Sequence, residues 1–415
     1  MFSVPSWVLP VAILLSAGLS EAQTTKRISC RNFEQINKGG ASPSAQLKSY
    51  LDLTWKYSMQ ESPEWATSLG YPGMNDKLSD FSVASLDRYD QEERCRLKVL
   101  EAIPRASLRE ADQVTRDLMV GKLAIGVEGQ QFPERYLVMS HLWGLHMDLV
   151  EILESMPKQN LQDYQNMITR LEKAPVLIQQ QEALLREGLK RGITPVKMFL
   201  QKVPAQFAAI LTEKVDESPL FAPFREINSS IPEAKRTELQ AKARQVLQNR
   251  TLPALGILRD YLVAEYIPGA RESISLSQMP DGVRWYNYAI KKQTTTSQTA
   301  EDLHALGLRE VERIKNEMMK VKDSTGFKGD LKAFNRYMQT DRKFYFDTAA
   351  ELVTAYRDVA KQIDAELPKY FGRLPRLPYG VREMPEYKGK TAPAAYYLAG
   401  SLEGGRAGFF EANTT

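Results

Sequence analysis

The chain is poor in the residues that ordinarily mark chemistry. Its 415 residues hold two cysteines, Cys30 and Cys95, and three histidines, His141, His146 and His304. Two cysteines without a CxxC spacing exclude zinc-finger and dithiol redox motifs; the readings left open are one disulfide between Cys30 and Cys95 or two inert thiols. His141 and His146 stand five apart in SHLWGLHMD. On a helix that spacing turns the side chains away from each other, whereas a zinc-binding pair on one face stands four apart with a glutamate after the first histidine. They read as core or surface residues, and His304, near Glu301 at a helix start, reads as structural. No serine elbow, phosphate loop or dinucleotide fingerprint follows a strand signal, so serine hydrolase, nucleotide and dinucleotide functions lack support. The cluster Gly404-Gly405-Arg406-Ala407-Gly408 is too short to stand for a phosphate site. Excess charge of one sign is also missing: 55 Lys and Arg against 51 Asp and Glu give +4, spread along the chain, which makes no case for nucleic acid.

Long apolar runs are missing except at the start. Val8 to Leu19 is apolar and is followed by Ser20-Glu21-Ala22, with small residues at the −3 and −1 positions of a cleavage site after Ala22. No Lys or Arg precedes the run. Pro5, Pro10 and the run's length argue against a permanent membrane helix, which needs roughly 20 apolar residues. The expectation is a cleaved export signal over 1–22, a secreted or periplasmic protein, and no membrane attachment afterwards. Three N-x-S/T sequons, at Asn228, Asn249 and Asn413, matter only in a host that glycosylates exported proteins.

What is present is helical patterning. At 43% hydrophobic and 26% charged residues, the chain has the composition of a globular protein able to bury a sizeable core. Residues 23–43 read as a loose polar leader and 44–415 as one helical body. Leu47, Leu51, Trp55 and Met59 recur every four residues, and Ser62-Pro63-Glu64 opens a short helix after them. Further helical patterns run over Ser82 to Leu100 and Ser107 to Leu123. Asn160 to Leu171 forms one such segment, and Ala174-Pro175 starts another that ends near Arg191-Gly192. Segments near Pro195 to Val215 and Pro232 to Gln248 follow, and Thr251-Leu252-Pro253 begins the next. Thr299 to Asp302 resembles a capping box. The last long helix, through Tyr356 and Ile363, ends before Pro368. From Pro375 the texture changes to proline, glycine and aromatics with short apolar runs suited to strands. The fold class is therefore mainly α, a large multi-helix body with a small β or irregular C-terminal segment.

Several stretches together resemble the family catalogued as "domain of unknown function 885". They are ESPEWATSLG at 61 to 70, FPERYLVM at 132 to 139, QQQEALLREGLKRGITP at 179 to 195, and EYIPGARESISLSQMPDGVRWYNYAIKKQTTT at 265 to 296. EDLHALGLREVERIKNEM at 301 to 318, LPKYFGRLPRLPYGVREMPEY at 367 to 387 and AYYLAGSLEGGRAGFFEANT at 395 to 414 complete the set. Their co-linear order covers nearly all of the chain after the expected signal. The resemblance implies a zincin-like metallopeptidase acting on a peptide substrate. It implies zinc in the full-length family member, held by a His-Glu motif that follows the segment ending here in FFEANTT. That motif is absent from this sequence, so the expectation is a chain cut before its metal ligands, with the catalytic part incomplete, no metal ligand assignable and no catalytic zinc bound.

Two departures bear on the site. Gln293 stands where the family commonly has histidine before three threonines, here Thr294 to Thr296, and Arg406-Ala407-Gly408 replaces the usual Arg-Pro-Gly. Gln293 and Thr294 are candidates for supporting the metal ligands from behind. In the tail, Gly405 to Asn413 suits an edge strand that pairs with extended substrate. Tyr396 and Tyr397 are candidates to hydrogen-bond a tetrahedral intermediate, Arg406 to bind a substrate carboxylate, and Asn413 to line the same wall. A reading from a different class is a secreted helical binding or scaffold protein of peptidase ancestry, which Gln293 and the missing ligands motivate.

Overall fold

The computed structural model describes residues 27–385, 389, 392–401 and 405–414. The export signal over 1–22 and its cleavage point lie outside them. The described chain is mainly α, with one small sheet near the C-terminus. It divides into two compact units, with the boundary between Gln293 and Thr294. Among the described residues no helix is long and apolar enough to cross a membrane.

In the first unit the central element is the helix Leu161–Lys190. Asn160 caps it by accepting from the Asp163 N–H, while the Asp163 carboxylate accepts in return from the Asn160 N–H at 3.1 Å. Its buried face, including Tyr164, Ile168, Leu171, Ile178 and Leu185, carries the largest apolar core. Where the sequence suggests two helices, one runs unbroken through Pro175. Proline there removes the N–H that would bond the Leu171 carbonyl, and the Thr251 hydroxyl donates to that carbonyl instead, at 2.8 Å. Thr251 ends a wide π-type turn, Leu247–Thr251, in a nearly continuous helical run from Glu233 to Gly269. The expected helix near Pro195 to Val215 is broken into short pieces, Lys197–Leu200 and Val203–Ala208.

Residues 28–38 are not a loose leader. The short helix Cys30–Glu34 buries Phe33 completely, edge-on to Tyr50 and Tyr57 at 5.4 and 6.0 Å. Cys30 and Cys95 are disulfide-bonded with Cα atoms 5.9 Å apart, inside the geometric range a bridge needs. The apolar contact and the cross-link fix a segment whose composition alone looks solvated.

The second unit opens with the helix Ala300–Ser324, capped as its sequence signals: Thr299 Oγ1 accepts from the Asp302 N–H, and Asp302 returns the bond to the Thr299 N–H. The helix Ala349–Tyr370 runs past Pro368 to Tyr370 instead of stopping before it. Three strands follow: β1 (Tyr379–Glu383), β2 (Ala395–Leu398) and β3 (Gly408–Ala412).

Candidate functional site

The sheet order is β1-β3-β2, with β3 parallel to β1 and antiparallel to β2. This corrects the expectation for Gly405 to Asn413: β3 is the central strand, bonded on both sides by the chain itself, and offers no free edge to a substrate. Its hydrogen bonds alternate. Gly408 N–H and Ala412 C=O bond toward β1, through Pro378 O and Met384 N, while Asn413 N–H bonds toward β2, through Ala394 O at 2.8 Å. By the same alternation Tyr396 and Leu398 turn their main-chain groups toward β3, and Ala395 and Tyr397 turn theirs outward. Among the described residues no strand lies beside that outer edge of β2. The outer edge of β1 is partly closed, because Arg357 of the Ala349–Tyr370 helix donates to Val381 O at 3.2 Å. The same helix sets the Tyr356 ring 5.1 Å from Phe410, and Asp364 Oδ1 accepts from the Tyr379 hydroxyl at 3.0 Å.

The register lines up Arg382, Glu411 and Tyr396 across the three strands on one face. Arg382 Nε donates to Glu411 Oε1 at 2.8 Å, and its guanidinium carbon lies 4.3 Å from the centre of the Phe409 ring. Glu411 is only 1% exposed, and its Oε2 has no hydrogen-bond partner among the described residues. A buried carboxylate oxygen left open costs free energy unless something donates to it. This pair was not singled out from the sequence. The signal is there, since Arg382 in YGVRE and Glu411 in GFFEA are opposite charges in strand-like segments, but pairing them requires the register.

The tail residues expected at a substrate wall separate. Tyr396 and Tyr397 are adjacent on β2 and point to opposite faces, so a site on either face uses one of them. The Tyr397 side chain is 57% exposed, and its ring lies over Gly408, where a Cβ would strike it. Arg406 pairs its main chain with Ser401, and its exposed guanidinium has no ion-pair partner among the described residues. Asn413 donates its side-chain amide to Gly389 O at 2.8 Å, so it is engaged within the chain itself. Gln293 is exposed at the end of the helix Gly282–Thr294; Thr294 Oγ1 lies 2.9 Å from Thr296 Oγ1, and Thr295 takes a positive φ of 56°.

The histidines are not gathered into a ligand set. His146 is fully buried, its Nε2 3.0 Å from Gln206 Oε1 and its ring stacked 4.8 Å from Phe207. His141 stacks on Phe199, and His304 is exposed on its helix. Among the described residues the one group of three metal-ligating side chains with converging atoms is Cys30, Glu34 and Cys95, and both thiols are consumed in the disulfide.

The family model described as "bacterial protein of unknown function" (DUF885) matches residues 63–415. The chain belongs to the DUF885 family. Two solved structures share its fold. A candidate lipoprotein from Colwellia psychrerythraea aligns with a TM-score of 0.81 at 17% identity, over 90% of this chain and 67% of that one. A candidate lipoprotein of unknown function from Shewanella oneidensis aligns with a TM-score of 0.58 at 16% identity, over 91% of this chain and 65% of that one. This DUF885 chain thus spans about two thirds of the length of the structures it matches. No curated protein matches it.

Proposed function

We propose that this chain is the N-terminal part of an exported zinc-dependent peptidase whose sheet receives an extended peptide along the outer edge of β2. The observation that carries the reading is that edge. Ala395 and Tyr397 present outward main-chain donors and acceptors, to which a peptide adds as a fourth strand. Of the row formed by Arg382, Glu411 and Tyr396, Tyr396 stands on β2 itself, within reach of side chains from a strand laid beside it. The apolar N-terminal run and the lipoprotein description of both solved relatives support export.

The residues described here do not fit a catalytic zinc, because no two histidines and carboxylate converge. The reading therefore assigns the metal to a following segment of a longer chain, for which the uncovered third of the solved relatives leaves room. No catalytic step is built on these residues. Their part is to bind and align the peptide. A second reading, a non-enzymatic peptide-binding protein, is favoured by Gln293 in place of the family's histidine.

The test is a chain extended through the downstream reading frame, assayed on quenched fluorescent peptides with and without a chelator. About one zinc per chain and chelator-sensitive hydrolysis are expected. An extended protein without zinc or hydrolysis overturns the peptidase. If the 415-residue chain still binds the peptides, and Ala395→Pro weakens that binding by removing an outward N–H, the second reading stands.

A further inference from the structure

The first unit carries a polar centre that the sheet reading does not use. Arg170, in the middle of the Leu161–Lys190 helix, is 2% exposed. It donates Nε to Lys77 O at 2.8 Å, and Nη2 to Thr67 Oγ1 at 2.7 Å and to Pro63 O and Met74 O at 3.1 Å each. Every acceptor is neutral. Its Nη1 has no acceptor, and no carboxylate lies within 4 Å of it among the described residues. Burial pulls its pKa down to about 10, with Glu64 and Asp76 opposing from a distance, so it remains cationic at neutral pH. A buried charge without a counter-ion is costly and projects its field through a low-dielectric wall.

Three of those acceptor residues, Pro63, Met74 and Lys77, form one side of a cleft of about 470 Å³, within the size range of small-molecule sites. Val176 and Leu177, one helical turn and more beyond Arg170, line it with apolar surface, and Val176 is 57% exposed. The acids at the cleft are occupied. Glu61 accepts from Arg27 and Arg88 at 2.9 Å each, and Asp80 accepts from the Ser82 N–H and the Gln180 amide. Of the three cations that line it, Arg27 is held by Glu61, and the two lysines are more loosely engaged. Among the described residues Lys77 Nζ has only Met74 Sδ in reach, at 3.8 Å, and Lys173 shares its ammonium between Asp76 O at 2.6 Å and Asp76 Oδ2 at 3.5 Å.

We propose that this cleft binds a small organic anion, its carboxylate between Lys77 and Lys173 and its aliphatic body against Val176 and Leu177. The guanidinium of Arg170 behind the wall, which no carboxylate touches among the described residues, adds long-range attraction. The apolar half selects against simple inorganic anions, and two ammonium groups are too few for a nucleic acid. The inference stands apart from the peptidase reading, since neither the sheet nor zinc enters it.

The probe is octanoate, titrated by calorimetry into the purified chain in low salt, with inorganic phosphate as comparator. Saturable one-to-one binding of octanoate is expected. Lys77→Met and Val176→Asp, both at exposed positions, should each weaken it about tenfold. Lys291→Met, which removes a surface ammonium paired with Glu128, should leave it unchanged. A thermal melt of each variant confirms that it folds; if Lys77→Met does not, Lys173→Met replaces it. Octanoate binding that is absent, or indifferent to both cleft substitutions, overturns the site. Phosphate binding as tightly as octanoate overturns the assignment of an aliphatic ligand.

Discussion

Thr251 donates its hydroxyl to the Leu171 carbonyl at 2.8 Å, the acceptor that Pro175 leaves unserved four residues further along the same helix. Thr251 is fully buried, so no water stands ready to take its place. Thr251→Val keeps the shape and removes the donor, and is expected to cost about 1–3 kcal/mol. Pro175→Ala restores a helical N–H for Leu171, so the same valine substitution should cost markedly less in that background. Urea midpoints for the four chains of this cycle give the coupling. Equal costs in both backgrounds would show that the hydroxyl does not replace the missing N–H.

Across the sheet, Arg382 is about half exposed while Glu411 is buried. Arg382→Met leaves a buried carboxylate without its donor and should destabilise the second unit by about 2 kcal/mol. Adding Glu411→Leu should recover most of that loss, because a buried ion pair contributes little over apolar residues of similar volume. Thermal melts of the single and double variants decide it. A double variant as unstable as Arg382→Met points to packing, not charge.

The bridge from Cys30 to Cys95 closes a loop with a sequence separation of 65 residues. A loop of that length restricts the unfolded chain by roughly 4 kcal/mol in the chain-entropy account. Reduction, or the double substitution to alanine, is therefore expected to lower the melting temperature clearly and to loosen Phe33 from Tyr50 and Tyr57. Proteolysis near the N-terminal end of the first unit should accelerate only under reducing conditions. A melting temperature unmoved by reduction would contradict this.

Two groups near the start of the helix Leu145–Ser155 give stability opposite pH dependences. Burial holds the His146 pKa below its ordinary 6.5, against the opposing bond to Gln206. Its proton is taken up more readily by the unfolded chain, so its effect is absent above about pH 6.5 and destabilises as pH falls below that value. Burial, then the charge of Glu151, pushes the Asp148 carboxyl up to about 7. Its ionised form therefore costs stability in full above that pH, and the cost is relieved as pH falls through 7 toward the unfolded value of 3.8. Asp148→Asn should stabilise the protein at about pH 8 and steepen the loss in acid, and His146→Gln should flatten that loss. Urea midpoints across this range test both, and an Asp148→Asn chain no more stable than its parent in base would refute the role given to Asp148.

The element ends were legible where a cap is local. Asn160 with Asp163 and Thr299 with Asp302 lie within one turn of the backbone groups they satisfy. The same local logic misplaced the helix break at Pro175, because the compensating hydroxyl sits 80 residues away in the sequence. It also misjudged residues 28–38, whose anchoring depends on Tyr50, Tyr57 and Cys95. At the candidate site the strand-forming texture of the tail could be read, and so could the family.

By itself the sequence determined the mainly helical body, the strand-forming tail and the shortage of metal-ligating residues, since periodicity and composition are properties of neighbouring positions. Only the tertiary structure decided that β3 lies in the centre, that β2 holds the open edge, and that Arg382, Glu411 and Tyr396 share one row. Strand order and register arise from hydrogen bonds between segments distant in the chain, and a strand's own residues do not state which of its edges will be covered.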